Sequence, residues 1–213
     1  MKHVPSFPFK EGPREYQLLA LDAWKTSGRQ GFFAMATGTG KTVTSLNCAL
    51  HEFREDGFYH LLILVPTLDL VEQWNGELQN FNFKKVIGVS SLNNSWRREL
   101  VELSQRVKRG RIVNFAIIST YDSFVNKHFQ QLLPSFSDNL ILIADEAHNI
   151  GGSLVKKGFK SLKVKRRIAL SATPERIYDL RDEYAWDAFE RELKRGNEYL
   201  EYYKKIQSRG RLA

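Results

Sequence analysis

The sequence is poor in cysteine and has no long hydrophobic run, and both scarcities limit what the protein can be. Its one cysteine, Cys48, excludes an internal disulfide, and with only five histidines a structural zinc site is not expected. The longest apolar run, residues 61–65, is far shorter than the roughly 18 residues that predict a transmembrane helix. The N-terminus lacks the apolar segment of a secretory signal. We therefore expect a cytoplasmic protein with no membrane partner.

The sequence has fewer acidic residues than basic ones. Lys and Arg number 32 against 24 Asp and Glu, which gives a formal net charge of +8. The surplus lies in residues 1–174, concentrated in residues 97–111 and in the acid-free run 156–167. Basic segments favour a polyanionic partner, although solvated helix faces explain the charge alone equally well. With 42% hydrophobic residues, the chain of 213 residues can bury the core of one domain.

Short apolar runs alternate with amphipathic segments along most of the chain. Because the predicted strands are apolar throughout, we expect an α/β domain with a parallel sheet covered by helices on both faces. This domain should span residues 13–177, after an extended lead-in over 1–12 and before a polar helical tail over 178–213. Strands are predicted at residues 31–35, 61–65, 86–89, 112–119, 140–144 and 168–170, and helices at 13–28, 41–55, 68–79, 95–108 and 121–133.

A glycine-rich turn follows the first predicted strand. Residues 35–42 read MATGTGKT between a strand and a helix, which is the setting of a phosphate-binding loop. Backbone N–H groups there can turn toward phosphates, and the helix N-terminus adds partial positive charge. Lys41 would reach the β- and γ-phosphates of ATP, and the Thr42 hydroxyl would ligate Mg²⁺. Met35 stands where the eight-residue pattern has glycine. The other loop residues expected to bind the nucleotide are Thr37, Gly38, Thr39 and Gly40.

Two adjacent carboxylates end another apolar strand. Asp145 and Glu146 follow residues 140–144, and parallel sheets place their sites at the carboxyl ends of strands. Asp145 would hold Mg²⁺, and Glu146 would orient and deprotonate the attacking water. Capping of a following helix is the alternative for these acids. The predicted phosphate-binding loop upstream favours the catalytic interpretation over capping. We therefore expect ATP hydrolysis with Lys41, Asp145 and Glu146 as catalytic residues.

Together these segments resemble the first motor domain of superfamily 2 helicases and translocases. The resemblance implies a RecA-like fold of the P-loop NTPase type, ATP and Mg²⁺ as cofactors, and movement on nucleic acid driven by ATP hydrolysis. Its motifs stand in the family's order as REYQ (14–17), MATGTGKT (35–42), VPTLDLVEQW (65–74), ISTY (118–121), DEAH (145–148) and SAT (171–173).

The resemblance assigns roles to further residues. It implies that Arg14 and Gln17 lie at the nucleotide base, where the Gln17 amide would read the adenine edge; a helix-surface glutamine is the alternative. Other residues would contact the nucleic-acid backbone rather than the bases. A third group would couple the nucleotide state to motion, with its histidine acting there rather than as a metal ligand. The backbone-contacting residues are Pro66, Thr67 and Thr120, and the coupling residues are His148, Ser171 and Thr173.

Within the superfamily, the sequences MATGTGKT, DEAH and SATPER are most similar to the motors of type I and type III restriction enzymes and phage-defence helicases, which favours DNA over RNA. Such motors hydrolyse ATP between two stacked domains, and the second supplies arginines that are worth about 10³–10⁵ in turnover. We expect that second RecA-like domain in cis or in trans, because too few residues follow Thr173 to form it. Alone, this chain should bind Mg-ATP and hydrolyse it weakly at most.

Two other functions stay open at this point. One is a free-standing, nucleotide-gated module that binds nucleic acid or assembles with a partner without motor activity. The other is a P-loop ATPase with no nucleic-acid role. The motifs VPTLDLVEQW (65–74) and SAT (171–173), together with the basic surplus, argue against the second.

Overall fold

Six parallel strands form one sheet in the computed structural model, which describes residues 4–147, 150, 153–160, 162 and 164–172. The strands are β1 (Gln30–Ala34), β2 (His60–Val65), β3 (Val86–Val89), β4 (Phe115–Thr120), β5 (Leu140–Ala144) and β6 (Arg166–Ser171). Their order across the sheet is β1–β6–β5–β2–β4–β3, and every neighbouring pair is parallel. The predicted α/β class with a parallel sheet is confirmed.

Helices cover both faces of this sheet. They are α1 (Glu15–Thr26), α2 (Lys41–Asp56), α3 (Leu68–Asn80), α4 (Trp96–Lys108), α5 (Tyr121–Phe124), α6 (Lys127–Leu132) and α7 (Ser153–Lys160). Helices α1 to α3 contribute to one core and α4 to α7 to the other. Among the described residues, none of the helices is both long and apolar enough to cross a membrane.

Strand β2 shows why both faces must be covered. All six of its residues are buried. Leu61 and Ile63 belong to the core under α1 to α3, whereas Leu62 and Leu64 belong to the core under α4 to α7. Successive side chains of a strand point to opposite faces, so an uninterrupted apolar run is what a doubly covered strand requires.

Two predicted elements are wrong in extent. The strand predicted at residues 112–119 begins only at Phe115, and Ile112 is 81% exposed in the connection that precedes it. The helix predicted at residues 121–133 is interrupted. Asn126 has extended backbone, and its side chain accepts hydrogen bonds from the N–H groups of His128 and Phe129, which starts a new helix, α6. The predicted tail, residues 178–213, lies outside the described residues.

The strand order determines which loops meet at the carboxyl edge of the sheet. Strand β6 lies between β1 and β5, so one strand separates the glycine-rich loop from the acidic pair. Strands β2 and β4 follow on the other side of β5, and their carboxyl ends face the same edge. Motifs that are far apart in sequence therefore project from one edge, where parallel sheets place their ligands.

At the opposite edge, an ion-pair network joins β1 and β6 to α2. Glu52, which is 1% exposed, lies 2.8 Å from Nε of Arg29 and 3.0 Å from Nε of Arg166. Each arginine also contacts a second carboxylate of α2. His51, Glu52 and Glu55 place three possible metal-ligand atoms within 4.8 Å of one another. Because guanidinium groups already pair with both carboxylates, we interpret the cluster as structural.

Candidate nucleotide and nucleic-acid site

The loop between β1 and α2 turns through two glycines with left-handed backbone. Gly38 has a φ of 78° and Gly40 a φ of 87°, which side chains disfavour. A Cβ on Gly40 would also lie 3.3 Å from the hydroxyl oxygen of Tyr16, so close packing is a second reason for glycine there. Helix α2 begins at Lys41 with no side-chain cap, which leaves the N–H groups of its first turn available to an anion.

Lys41 extends from this loop to the acidic pair. Its Nζ lies 3.2 Å from Oε1 of Glu146, although the two residues are 105 positions apart. The lysine side chain is 10% exposed and the glutamate side chain 26%, so the ion pair is partly shielded from water. Thr42 follows in the first turn of α2 and is half-buried. The structure thus brings the glycine-rich loop and the acidic pair into direct contact.

Asp145 is buried, and both of its carboxylate oxygens accept hydrogen bonds. The indole N–H of Trp74 donates to Oδ2 at 2.8 Å, and the backbone N–H of Glu146 donates to Oδ1 at 2.9 Å. Burial raises the pKa of Asp145, and these two hydrogen bonds oppose that rise. Each carboxylate oxygen has two lone pairs, so Asp145 can still ligate a cation.

The peptide between the two acids is held in an unusual conformation. Glu146 has a φ of 44°, in the left-handed region that residues with side chains rarely adopt. The hydroxyl of Tyr121 donates to the carbonyl oxygen of Asp145 at 2.8 Å and so fixes this peptide. Burial, and then the charges of both acids, raise the pKa of Tyr121, which keeps it a donor. Such backbone strain costs about 1–3 kcal/mol and is concentrated at functional sites.

Residues 14–17 lie beside the glycine-rich loop. The hydroxyl of Tyr16 donates to the carbonyl oxygen of Thr39 at 2.7 Å. Gln17 is 4% exposed, and its Oε1 accepts from the backbone N–H of Arg14 at 2.9 Å, which caps the start of α1. Its amide nitrogen would lie 3.4 Å from a Cβ on Gly40. The structure therefore places Gln17 at the loop with its amide oxygen already engaged, and the adenine contact of Arg14 and Gln17 stays a prediction.

A groove of about 590 Å³ opens at the carboxyl ends of β2, β3 and β4. It brings together the three residues predicted to contact a nucleic-acid backbone, Pro66, Thr67 and Thr120. The connection from β3 to α4 forms a third wall that was not predicted; its polar run SSLNNS before a basic helix was the available signal. The polar lining residues are Thr67, Ser90, Ser91, Asn93, Asn94, Arg97, Thr120, Asp122, Ser123 and Asn126.

Both predicted threonines begin helices. The hydroxyl of Thr67 accepts from the N–H of Leu70 at 3.4 Å and caps α3. The hydroxyl of Thr120 accepts from the N–H of Ser123 at 3.2 Å and caps α5. Each hydroxyl keeps its own hydrogen as a donor. Caps of this kind hold the first turn of each helix against the groove.

The predicted coupling residues are described only in part. Ser171 ends β6 and is fully buried, and its carbonyl oxygen accepts from the N–H of Met35 at 3.1 Å. The strand that carries Ser171 therefore adjoins the glycine-rich loop directly. His148 and Thr173 lie outside the described residues.

Comparison with known proteins agrees with this geometry. The family model described as "Type III restriction enzyme, res subunit" matches residues 10–176. The chain belongs to this family. The predicted resemblance to the first RecA-like motor domain of superfamily 2 helicases, with the restriction-enzyme motors as the most similar group, is thereby confirmed. A search of the curated proteins found no significant match.

Three solved structures share the fold of this res-family domain. A nuclease-deletion mutant of the Type ISP restriction-modification enzyme LlaGI, in complex with a DNA substrate mimic, has 23% identity and a TM-score of 0.60, with 76% of this chain and 18% of that chain covered. The Sulfolobus solfataricus SWI2/SNF2 ATPase core in complex with dsDNA has 21% identity and a TM-score of 0.60, with 85% and 36% covered. The Pyrococcus furiosus Hef helicase domain has 23% identity and a TM-score of 0.55, with 79% and 35% covered. The chain thus spans little more than a third of these proteins at most.

Proposed function

We propose that this chain is the ATP-binding half of an ATP-dependent nucleic-acid motor, a helicase or translocase that acts on DNA. The observation that carries the proposal is the 3.2 Å contact between Lys41 and Glu146. It joins a glycine-rich loop to a carboxylate pair at one edge of a parallel sheet. That combination supplies both the phosphate contacts and the water-orienting carboxylate that phosphoryl transfer needs. Membership of the res-subunit family supports it.

The residues of the loop and of the acidic pair would divide the work of hydrolysis. Lys41 would contact the β- and γ-phosphates together with the backbone N–H groups of residues 37–40. Glu146 would orient the attacking water and accept its proton. Arg14 and Gln17 would lie at the adenine, where the amide nitrogen of Gln17 can donate.

Thr42 and Asp145 would hold Mg²⁺. Hydroxyl and carboxylate oxygens are the donors that this cation prefers. The fit rests on Asp145, whose buried carboxylate accepts one described hydrogen bond on each oxygen and keeps lone pairs for a cation. When bound, the ion would neutralise charge on the phosphate oxygens.

The groove beside the acidic pair would hold the nucleic-acid strand. Pro66, Thr67 and Thr120 line it, and Arg97 at the start of α4 adds a positive charge. Hydroxyl, amide and guanidinium donors suit phosphate oxygens, which carry no sequence information. DNA is the proposed partner because the similar LlaGI and SWI2/SNF2 structures were solved with DNA. Binding should weaken with salt as counterion release predicts.

The proposed motor is completed by a second RecA-like domain, in cis or in trans. Residues 13–177 would be the ATP-binding domain, with residues 1–12 as its lead-in and residues 178–213 as its tail. The cytoplasmic location expected from the sequence stays a prediction.

The test is titration of the chain with a fluorescent ATP analogue, followed by ATP turnover with and without single-stranded DNA. Lys41→Ala should weaken nucleotide affinity at least about tenfold, or 1.4 kcal/mol. Glu146→Gln should keep nucleotide affinity and remove any turnover. Lys84→Ala is the control, since Lys84 is exposed near the amino end of β3 and should change neither. Unchanged nucleotide affinity in Lys41→Ala would contradict the proposal.

A further inference from the structure

The two loops that reach the groove from β2 and β4 each lead to the same acidic residue. Thr67 caps α3, and Trp74 lies two turns along that helix with its indole N–H 2.8 Å from Oδ2 of Asp145. Thr120 caps α5, and Tyr121, the next residue, has its hydroxyl 2.8 Å from the carbonyl oxygen of Asp145. The carboxylate and the backbone of Asp145 are thus held from the two groove-lining segments.

Both contacts are shielded from water. Trp74 is 1% exposed, Tyr121 is 5% exposed and Asp145 is 6% exposed. A buried hydrogen bond is electrostatically stronger than an exposed one, and the ionised carboxylate acceptor strengthens the bond of Trp74 further. The two bonds also act on different parts of the residue. Trp74 orients the carboxylate, whereas Tyr121 fixes the peptide that leads into the left-handed backbone of Glu146.

We propose that Trp74 and Tyr121 are positioning residues that couple the groove to Asp145, so that a strand in the groove and Mg-nucleotide at the acidic pair strengthen each other's binding. This inference depends on the proposed function. Its mechanical basis is helix α3, which is rigid over the roughly 10 Å between Thr67 and Trp74. A displacement at the cap therefore reaches the indole, and through it the carboxylate. Reciprocity follows, because a coupling free energy between two sites acts equally in both directions.

The experiment removes each donor and keeps an aromatic side chain, with Trp74→Phe and Tyr121→Phe. Three quantities are measured by fluorescence: the affinity for an ADP analogue at varied Mg²⁺, the same affinity with EDTA, and the affinity for single-stranded DNA with and without Mg-nucleotide. Each variant should need about tenfold more Mg²⁺ for half-maximal nucleotide binding, equivalent to 1.4 kcal/mol. The factor by which DNA improves nucleotide binding should fall toward 1. Affinity in EDTA and DNA affinity without nucleotide should stay within about twofold.

Two matched controls separate positioning from stability. Trp24 is 1% exposed and donates its indole N–H to the carbonyl oxygen of Arg167 at 3.0 Å, remote from the acidic pair. Tyr59 is 3% exposed; its hydroxyl donates to the carbonyl oxygen of Lys84 at 2.9 Å and accepts from the backbone N–H of Lys84 at 2.6 Å. Trp24→Phe loses one buried hydrogen bond, as Trp74→Phe does, and Tyr59→Phe loses two, so its loss of stability is at least that of Tyr121→Phe. Their melting temperatures should fall while Mg²⁺ dependence and coupling factor match those of the unmodified chain.

The outcomes distinguish two failures. If the unmodified chain binds no Mg-nucleotide, the proposed function and this inference are both overturned. If it binds Mg-nucleotide but Trp74→Phe and Tyr121→Phe keep its Mg²⁺ dependence and coupling factor, only the inference is overturned. If Trp74→Phe does not fold, Tyr121→Phe decides, since it removes a single oxygen atom.

Discussion

Replacing Glu52 with Gln would remove one negative charge from the network that joins the amino ends of β1 and β6 to α2. Both oxygens of Glu52 lie 2.8 Å from Nε of Arg29, and one of them lies 3.0 Å from Nε of Arg166. Glutamine keeps the size of the side chain, but its amide nitrogen is a hydrogen-bond donor and would face the guanidinium donors of Arg29 and Arg166. The perturbation therefore tests the charge rather than the packing.

The expected loss of stability follows from burial. Breaking a buried ion pair by removing one partner costs about 3–5 kcal/mol. The side chains of Arg29 and Arg166 are 35% and 21% exposed, and each keeps a second carboxylate, so water and these partners compensate part of the loss. We expect about 2–3 kcal/mol, which lowers the melting temperature of a chain of this length by about 4–12 °C.

Thermal unfolding followed by circular dichroism measures this change. Glu55→Gln is the control, because that side chain is 42% exposed and its ion pairs are screened by water. Its melting temperature should change by less than about 2 °C. Nucleotide affinity, measured well below the transition, should be unchanged in both variants, since the network lies at the edge opposite the glycine-rich loop. A Glu52→Gln shift as small as that of Glu55→Gln would refute the reasoning.

Three further predictions concern single residues. Gly40→Ala should weaken nucleotide affinity more than about tenfold, because Gly40 has a φ of 87° and packs on Tyr16. Gly57→Ala is its control: Gly57 has a φ of 77° but open space around it, so this variant should lose only about 1–2 kcal/mol of stability. Equal nucleotide affinities in the two variants would contradict this reasoning. Burial lowers the pKa of His60 below its ordinary 6.5, so folding stability that is present above about pH 6.5 should be lost as the pH falls toward the lowered pKa. Urea unfolding at several pH values should show a smaller loss of stability in His60→Phe. An equal loss in both proteins would count against this role of His60. Burial raises the pKa of the Cys48 thiol, so a thiol reagent should label the chain only in urea; prompt labelling of the native protein would be inconsistent with this core position.

Much of the fold was predictable because apolar patterning reports burial. The apolar run of β2 indicated a strand covered on both faces, and the structure has that strand near the centre of the sheet. The failures arose where one side chain competes with a pattern. Asn126 caps a new helix inside an amphipathic stretch, and Ile112 is apolar yet lies in an exposed connection. Periodicity does not register such local hydrogen bonding or exposure.

The residues of the candidate site were largely predictable from the sequence, but the contacts among them were less so. The spacing of glycines before Lys41 and the adjacent acids after an apolar strand predicted the two segments that the structure brings together at the candidate site. Trp74 and Tyr121 end the motifs VPTLDLVEQW and ISTY, yet nothing in their spacing indicated that both donate hydrogen bonds to Asp145. The β3 to α4 wall of the groove was also missed, because serine and asparagine are equally typical of any loop.

The amino-acid sequence alone thus determined the local chemistry: where strands are buried, where glycine permits a tight turn before a helix, and which acids follow a strand. The order of the strands, and which distant side chains contact one another, were decided only by the tertiary structure. β6 inserts between β1 and β5, which sets the 3.2 Å approach of Lys41 to Glu146. The physical reason is that propensity and periodicity act over a few neighbouring residues. Contacts between residues 71 or 105 positions apart depend instead on how the crossovers pack the whole sheet.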